Sequence, residues 1–155
     1  MRKVFLGNGD LHGCRGCGAC QVGNGCVIQD IMQEVYPLYG WCDTFVVASP
    51  LYLWTLSSQA KAFIDKLYAI SRNDRYPVKD AALLMTAGDD DEHTFDMPVK
   101  YCESVFGGFG GEILGSYLAG GCSGEPGKHS IPEKHLVGAY EFGKAITDSQ
   151  TALNY

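Results

Sequence analysis

Two continuous apolar runs constrain the fold of this 155-residue chain more than any other feature. Thr44–Ser49 (TFVVAS) and Ala81–Gly88 (AALLMTAG) have the pattern of strands that are buried on both faces. A weaker run, Glu112–Gly120, and a short one, Lys3–Leu6, predict two further strands. Because the segments between these runs have helical spacing, the chain predicts a parallel α/β sheet with right-handed crossovers.

Four helices are predicted between and after these strands. One has Ser57 or Ser58 as its N-cap, and the last begins near Pro132, which suits a first helical turn. Weaker patterns predict helices from Asp30 to about Tyr39 and from about Thr94 to Phe106. The apolar stripes expected to face the core are Ala60, Phe63, Ile64, Leu67 and Tyr68 in the earlier helix, and Leu136, Ala139, Tyr140 and Gly143 in the last.

Composition predicts one soluble domain and argues against two classes of partner. With 46% hydrophobic and 19% charged residues, the chain is typical of globular proteins, and we expect residues 1–155 to form a single domain. Its net charge of -6 disfavours nucleic acid, whose phosphates require an excess of Lys and Arg. Because the sequence has neither a long apolar span nor the apolar core of a signal peptide, we expect a cytoplasmic protein without membrane association.

Four of the seven cysteines lie within thirteen residues, in the stretch CRGCGACQVGNGC. Cys14, Cys17, Cys20 and Cys26 have the spacing C-x2-C-x2-C-x5-C in a glycine-rich loop at about residues 13–27. Thiolates at this spacing can converge on one centre, and glycine N–H groups stabilise cluster sulfides, so the pattern favours one [4Fe–4S] cluster held by all four. Structural zinc, which usually pairs two distant C-x2-C knuckles, and reversible disulfides in a redox-sensing loop are the alternatives.

The other thiols, the histidines and the acidic run have no comparable signal. Cys42, Cys102 and Cys122 lack ligand spacing and are interpreted as small buried apolar residues. The four histidines form no ligand pair on one helix face, so we assign them no role. The run from Asp89 to Glu92 is typical of a solvated loop, since further oxygen ligands for a hard metal cannot be identified.

Two loops follow the buried strands at the sheet edge where ligands of parallel α/β proteins bind. Ser49–Trp54 (SPLYLW) joins a rigid proline to two aromatic residues, which suits a planar ring, and Thr86–Asp89 has small residues that allow close backbone approach. In the alternative interpretation Pro50 only turns the chain, and Tyr52 and Trp54 are core or interface residues. The candidate cofactor-binding residues are Ser49, Pro50, Leu51, Tyr52, Leu53 and Trp54 in the first loop, and Thr86, Ala87, Gly88 and Asp89 in the second.

From about Arg2 to Ile146 the chain resembles the iron–sulfur flavoproteins within the NAD(P)H-dependent FMN reductase group of flavodoxin-like proteins. The resemblance is carried by CRGCGACQVGNGCVIQDIMQEVY, CDTFVVASPLYLWTLSSQAKAFIDKLY, ALLMTAGDDD and HLVGAYEFGKAI. Its most specific part is the S-P-x-Y loop followed by S-x-Q-x-K-x-F-I-D. It implies a flavodoxin-like, three-layer α/β/α fold with a parallel sheet. It also implies that Ser49–Trp54 and Thr86–Asp89 hold the isoalloxazine ring of FMN, mostly through backbone groups, with the cluster close by.

The resemblance further implies an NAD(P)H-dependent FMN reductase-like oxidoreductase. Hydride transfer from NAD(P)H, or electron delivery from a ferredoxin, would reduce the flavin, and single electrons would then pass through the cluster to an acceptor. Because the cofactors supply the chemistry, no side-chain general acid is required, and we nominate no catalytic residue. The alternatives are a cluster-free NAD(P)H:quinone or flavin reductase and, in another class, a non-catalytic electron-transfer or zinc-stabilised module without flavin.

The N-terminus departs from the pattern of this group. Its members usually begin with a strand, a Ser- and Gly-rich loop that cradles the FMN phosphate, and a helix, whereas this chain starts at the next strand, Lys3–Leu6. Since the absent strand would be central, we expect that Lys3–Leu6 closes onto Thr44–Ser49, that another chain fills the slot, or that the sequence is a shortened version of a longer protein. The aromatic loop, the Gly-rich region from Phe106 to Gly127 and the incomplete sheet favour a homodimer or a larger assembly.

Overall fold

A computed structural model describes residues 1–23, 25–71, 78–124, 127–128 and 130–153. In chain order its elements are helices α1 (Ala19–Val22) and α2 (Met32–Trp41), strands β1 (Thr44–Tyr52) and β2 (Thr55–Leu56), helix α3 (Ser58–Lys66) with a following 3-10 turn (Leu67–Ile70), strand β3 (Asp80–Thr86), helix α4 (Asp96–Gly108), strand β4 (Ile113–Ala119) and helix α5 (Glu133–Leu153). Three of the four predicted strands and all four predicted helices are confirmed, while α1 and β2 were not predicted.

The sheet has four strands in the order β2-β1-β3-β4. β1 and β3 run parallel, in a register that extends from Thr44 opposite Asp80 to Pro50 opposite Thr86, and β3 pairs with β4 in parallel. β2 is a short antiparallel return along the end of β1. The predicted parallel α/β architecture is therefore confirmed for the three long strands.

The predicted strand Lys3–Leu6 is wrong, because this segment forms no strand and its Val4 and Phe5 side chains are exposed. A strand of four residues depends on the neighbours that it pairs with, and β1 does not pair with it. In the described part of the chain, the outer edge of β1 is paired only at Leu51 and Tyr52, with β2. The expectation that the N-terminal segment closes directly onto β1 is therefore contradicted.

One face of the sheet is covered by α3 and α4 and carries the hydrophobic core. Phe45 of β1 has its ring centroid 5.0 Å from that of Tyr39 and 5.0 Å from that of Phe106. Val47 and Leu83, on neighbouring strands, are buried in the same cluster. Burial of these large apolar side chains on one side of the sheet fixes α3 and α4 against it.

The described residues cover the opposite face only in part. There α5 packs on β4, and Gly138 lies so close to β4 that a Cβ at this position would stand 2.1 Å from the Tyr117 hydroxyl. On β1, by contrast, Val46 is 47% exposed and Ala48 is also exposed. The expectation that Thr44–Ser49 is buried on both faces is therefore wrong, because α5 packs mainly on β4. We call this area, formed by Val46, Ala48 and the half-buried Leu84 of β3, the open half-face. It borders the edge of β1 before Leu51, which has no partner strand among the described residues.

The stripe predicted for α3 is largely confirmed. Ala60, Ile64 and Leu67 are buried and Phe63 is half-buried, but Tyr68 is exposed. The reason is that the α-helix ends at Lys66 and tightens into the 3-10 turn, which changes the angle between successive side chains. The exposed Tyr68 is therefore free to line the neighbouring cysteine loop.

The stripe predicted for α5 is wrong at three of its four positions. Leu136, Tyr140 and Gly143 are exposed, and only Ala139 is half-buried. The side of α5 that meets the sheet is instead that of Gly138. Because the described part of α5 packs mainly on β4, its predicted stripe borders the open half-face. No helix in the described residues is long and apolar enough to cross a membrane.

Candidate functional site

The two loops predicted to bind a planar ring lie side by side at the carboxyl ends of β1 and β3. Pro50 of the first loop pairs with Thr86 of the second in the register of the sheet. The second loop is joined in turn to the loop after β4, since the Cys122 N–H donates to the Ala87 carbonyl at 2.8 Å. The three loops therefore form one continuous edge.

Ser49 holds the first loop in place. Its buried hydroxyl donates to the Pro50 carbonyl at 2.8 Å and accepts from the Ser57 N–H at 2.9 Å. Ser57 is the N-cap of α3, since its hydroxyl accepts from the Ala60 N–H at 3.3 Å. The first loop is thus tied to the start of the helix that follows it.

A strained two-residue turn carries the exposed side chains of the first loop. Leu53 and Trp54 connect β1 to β2, and both have positive φ, 47° and 62°. Such hairpin turns favour Asn and Gly, and other residues pay about 1–2 kcal/mol each. Tyr52, Leu53 and Trp54 are 61%, 88% and 63% exposed, so the interpretation of the two aromatic residues as core is wrong. Strain of this kind clusters at ligand sites.

The second loop is held by a close backbone approach. A Cβ at Gly120 would stand 2.0 Å from a carboxylate oxygen of Asp90 and 3.0 Å from the Asp89 carbonyl. The Asp89 carboxylate accepts from the Thr94 hydroxyl at 2.7 Å. The acidic residues from Asp89 to Glu92 are exposed, as expected for a solvated loop. Only a glycine at position 120 allows the loops after β3 and β4 to approach this closely.

An apolar groove of about 320 Å³ adjoins the two loops on the side of the open half-face. Pro50 and Thr86 line it from the loops, and Leu136 lines it from α5. His135 also lines it, and its imidazole joins α5 to β4 through contacts of 3.1 Å to the Tyr117 hydroxyl and 3.0 Å to the Gly120 carbonyl. From the sequence we assign this histidine no role because the histidines form no ligand pair on one helix face, and its partners, 15 and 18 residues away, leave no local signal in the sequence.

A second cavity, of about 140 Å³, brings the cysteines of the loop together. The cysteines that line it are Cys14, Cys17, Cys20 and Cys26. It lies between the loop and the end of α3, with Lys66 and Tyr68 on its wall. Gly16 and Gly18 turn the loop at positive φ of 64° and 69°, and the Gly16 N–H donates to the Cys14 sulfur at 3.5 Å. The predicted metal ligands therefore share one cavity.

The donor set of this cysteine cavity fits an iron–sulfur cluster. All four thiols are free, and amide N–H bonds to sulfur are what stabilise cluster thiolates. Among the described residues, no group of three His, Cys, Asp or Glu side chains is placed to hold a single metal ion. In a cluster each thiolate binds a different iron, so the four sulfurs need to surround a volume rather than a point.

The three remaining cysteines differ in burial. Cys102 is fully buried, and burial raises the pKa of its thiol to about 11. Cys42 and Cys122 are only half-buried, and burial raises the pKa of Cys42 as well. The interpretation as a buried apolar residue is therefore confirmed for Cys102 and holds only in part for the other two.

Helix α3 connects the two candidate sites. It begins next to Ser57, which is bonded to the first loop, and ends at Lys66, which lines the cysteine cavity. At a rise of 1.5 Å per residue, the helix spans about 12 Å. The predicted ring site and the predicted cluster site thus lie at opposite ends of one rigid element.

Comparison with known sequences gives one family and two relatives. Residues 6–97 match the family described as NADPH-dependent FMN reductase. An iron–sulfur flavoprotein of Methanosarcina thermophila is 35% identical over 71 residues, and one of Archaeoglobus fulgidus is 34% identical over 67 residues. These matches cover 46% and 43% of this chain but only 37% and 30% of the two relatives. The matched part is therefore about a third of each relative's length.

Solved structures share the fold at low sequence identity. An azoreductase superposes with a TM-score of 0.58 and 20% identity, over 92% of this chain and 79% of its own. The azoreductase of Bacillus anthracis gives a TM-score of 0.53 and 21% identity, over 77% of this chain and 62% of its own. These likenesses confirm the predicted flavodoxin-like α/β fold.

Proposed function

The chain belongs to the NADPH-dependent FMN reductase family, a family of oxidoreductases, and from this premise we propose that it is an FMN-dependent electron-transfer enzyme. It takes electrons from NAD(P)H or a ferredoxin and passes them through FMN and a [4Fe–4S] cluster to an acceptor. When bound, FMN accepts hydride and releases single electrons, which a cluster can take up one at a time. The iron–sulfur flavoproteins among its relatives support the cluster.

The observation that carries this proposal is that the loops after β1 and β3 lie side by side at the carboxyl ends of these strands, and that the first loop exposes Tyr52 and Trp54. In the proposed complex, backbone groups of Ser49–Trp54 and Thr86–Asp89 contact the isoalloxazine ring of FMN. The side chains of Tyr52 and Trp54 keep water from the face of this ring. Ser49 positions the first loop through its bonds to Pro50 and Ser57. The cysteine cavity at the far end of α3 holds the cluster.

Replacing Trp54 by Ala is expected to weaken the binding of FMN and of riboflavin alike, by about tenfold. The reason is that the variant loses ring stacking and changes nothing at the phosphate end. Titration of each flavin, followed by its fluorescence, measures the two affinities. Trp41→Ala is the matched control, since Trp41 is 72% exposed at the end of α2, before β1 begins. Unchanged affinity in Trp54→Ala, or an equal loss in the control, would contradict the proposed ring site.

We also propose that the protein forms a homodimer or a larger assembly. The α5 side chains of Leu136, Val137 and Tyr140 are all more than half exposed, and contiguous apolar surface of this kind marks interfaces. Sedimentation equilibrium at micromolar concentration is expected to give at least twice the 16.8 kDa chain mass. Val137→Asp should shift the protein towards monomer, whereas Val78→Asp, at a similarly exposed position before β3, should not. A strictly monomeric wild-type protein would contradict the assembly.

A further inference from the structure

Asp30 joins both ends of the segment that carries the four clustered cysteines. Its side chain is fully buried and accepts hydrogen bonds from the His12 N–H at 2.9 Å and from the Met32 N–H at 3.0 Å. His12 lies two residues before the first of these cysteines, and Met32 is the first residue of α2. One carboxylate therefore closes the loop.

Lys66 fixes this carboxylate to the end of α3. Its ammonium group pairs with Asp30, and its side chain is only 1% exposed. Its carbonyl accepts from the Tyr36 hydroxyl at 3.1 Å, which brings α2 to the same point. Lys66 also lines the cysteine cavity. The buried ion pair thus lies at the wall of that cavity, where the loop, α2 and α3 meet.

Packing alone does not explain a buried ion pair at this place. Two ions lose their hydration on burial, and apolar residues of similar volume often give equal stability. Burial by itself raises the pKa of Asp30, but the hydrogen bonds from Lys66 and from two backbone amides hold this pKa below its ordinary value. The carboxylate therefore stays charged at neutral pH, and the ammonium keeps its partner.

The other charges on the cavity wall are more strongly screened. Arg15 and Asp65 line the cavity but are exposed to water. Asp65 is moreover paired with Lys61 at 2.5 Å. Interactions of exposed charges are weakened by water and salt, whereas a buried charge acts through a medium of lower dielectric constant. Lys66 is paired as well, but its partner Asp30 does not line the cavity. Lys66 is thus the wall residue that brings a buried charge to the cavity.

We propose that Asp30 and Lys66 form a positioning pair for the cluster loop. The carboxylate keeps the loop closed around one cavity, and the ammonium stabilises the additional negative charge that the cluster gains when it takes up one electron. No bond forms or breaks in this step. The electrostatic part rests on the proposed function, whereas closure of the loop by Asp30 does not depend on it.

Redox titration of the anaerobically prepared protein, followed by EPR, tests the electrostatic part. Lys66→Met should lower the equilibrium constant for reduction of the cluster by about tenfold. For a one-electron couple, this lowers the reduction potential by about 59 mV. The double variant Asp30→Asn/Lys66→Met, which leaves no unpaired buried charge, should give a smaller shift in the same direction and remains available if the single variant does not fold. Lys61→Met, with an exposed lysine on the same helix, is expected to match the wild type. An unchanged potential in the double variant would overturn this part.

Amide hydrogen exchange of the metal-free protein tests loop closure without any cluster. In the double variant, exchange in residues 12–23 should rise by about tenfold or more, because the charged hydrogen bonds that tie the loop ends are weakened. Exchange in Lys61→Met should equal that of the wild type. Equal exchange in the double variant would overturn the closure. If the wild-type protein takes up no cluster, the proposed function fails, and this comparison still decides whether Asp30 closes the loop.

Discussion

Replacing Cys17 by Ser is expected to remove iron and labile sulfide together and completely. The four thiols share one cavity, and thiolates that hold a cluster act as a unit, since metal binding and local folding are coupled. Iron and sulfide assays of anaerobically purified protein measure the loss. In the visible spectrum, the broad cluster shoulder should disappear while the two flavin bands remain.

Cys42→Ser is the matched control for this experiment. Cys42 is half-buried, lies outside the loop and does not line the cysteine cavity, so this variant is expected to keep the full iron content. Stoichiometric zinc without iron in the wild-type protein would instead favour the zinc alternative. Full iron content in Cys17→Ser would show that the loop does not bind the cluster through all four thiols.

FMN and riboflavin are expected to bind this chain with similar and weak affinity. The two loops at the carboxyl ends of β1 and β3 offer contacts to the ring, which both flavins share. A phosphate is usually held by backbone N–H groups and hydroxyls at a helix N-terminus. The segment Gly7–Asp10 (GNGD) has no hydroxyl residue, and the next helix, α1, begins only at Ala19. This segment therefore has neither the hydroxyl groups nor the helix N-terminus that would make FMN, with its phosphate, bind more tightly than riboflavin.

Adding a strand, a phosphate-binding loop and a helix ahead of Met1 is expected to raise FMN affinity by about 100-fold while riboflavin affinity stays nearly unchanged. Two charge-assisted hydrogen bonds to the phosphate suffice for this gain. In the described part of the chain, the edge of β1 before Leu51 is unpaired and leaves room for the strand, and the open half-face leaves room for the helix.

Fluorescence titration of both flavins, with and without the added segment, measures the two affinities. A matched segment in which Ala replaces the hydroxyl residues of the phosphate loop should lose most of the gain for FMN. An equal gain for riboflavin would show that the segment acts on the ring site instead. No detectable binding of either flavin to either protein would overturn the flavin proposal and favour the electron-transfer module without flavin.

The long strands could be predicted because a continuous apolar run leaves a signal in the residues themselves, even though only β3 is largely buried and Val46 and Ala48 of β1 are exposed. Thr44–Ser49 and Ala81–Gly88 need no knowledge of their neighbours to be read as strands. For Lys3–Leu6 the neighbours have to be known, because a strand of four residues is stable only when a neighbouring strand pairs with it. The same holds for Leu136 and Tyr140, whose apolar spacing predicts burial although the described part of α5 packs mainly on β4 and leaves both side chains exposed.

The candidate site could be predicted in its location but not in its detail. Topology places ligands at the carboxyl ends of parallel strands, which points to the loops after β1 and β3. The strained turn at Leu53 and Trp54 gives no local signal, because neither residue type is typical of positive φ. The pairing of Asp30 with Lys66 spans 36 residues and arises only when the loop folds onto α3. The roles of the individual site residues remain predictions.

At the turn formed by Leu53 and Trp54, substitutions that raise thermal stability would act against the proposed ring site. Asn and Gly would adopt its positive φ values at little cost, so a sequence chosen for stability alone would place them there. The same exchange would remove the indole that the proposed ring site uses and a leucine that is 88% exposed. A thermostable form of this protein should therefore keep the hairpin unchanged and carry its stabilising substitutions on the side of the sheet away from this hairpin.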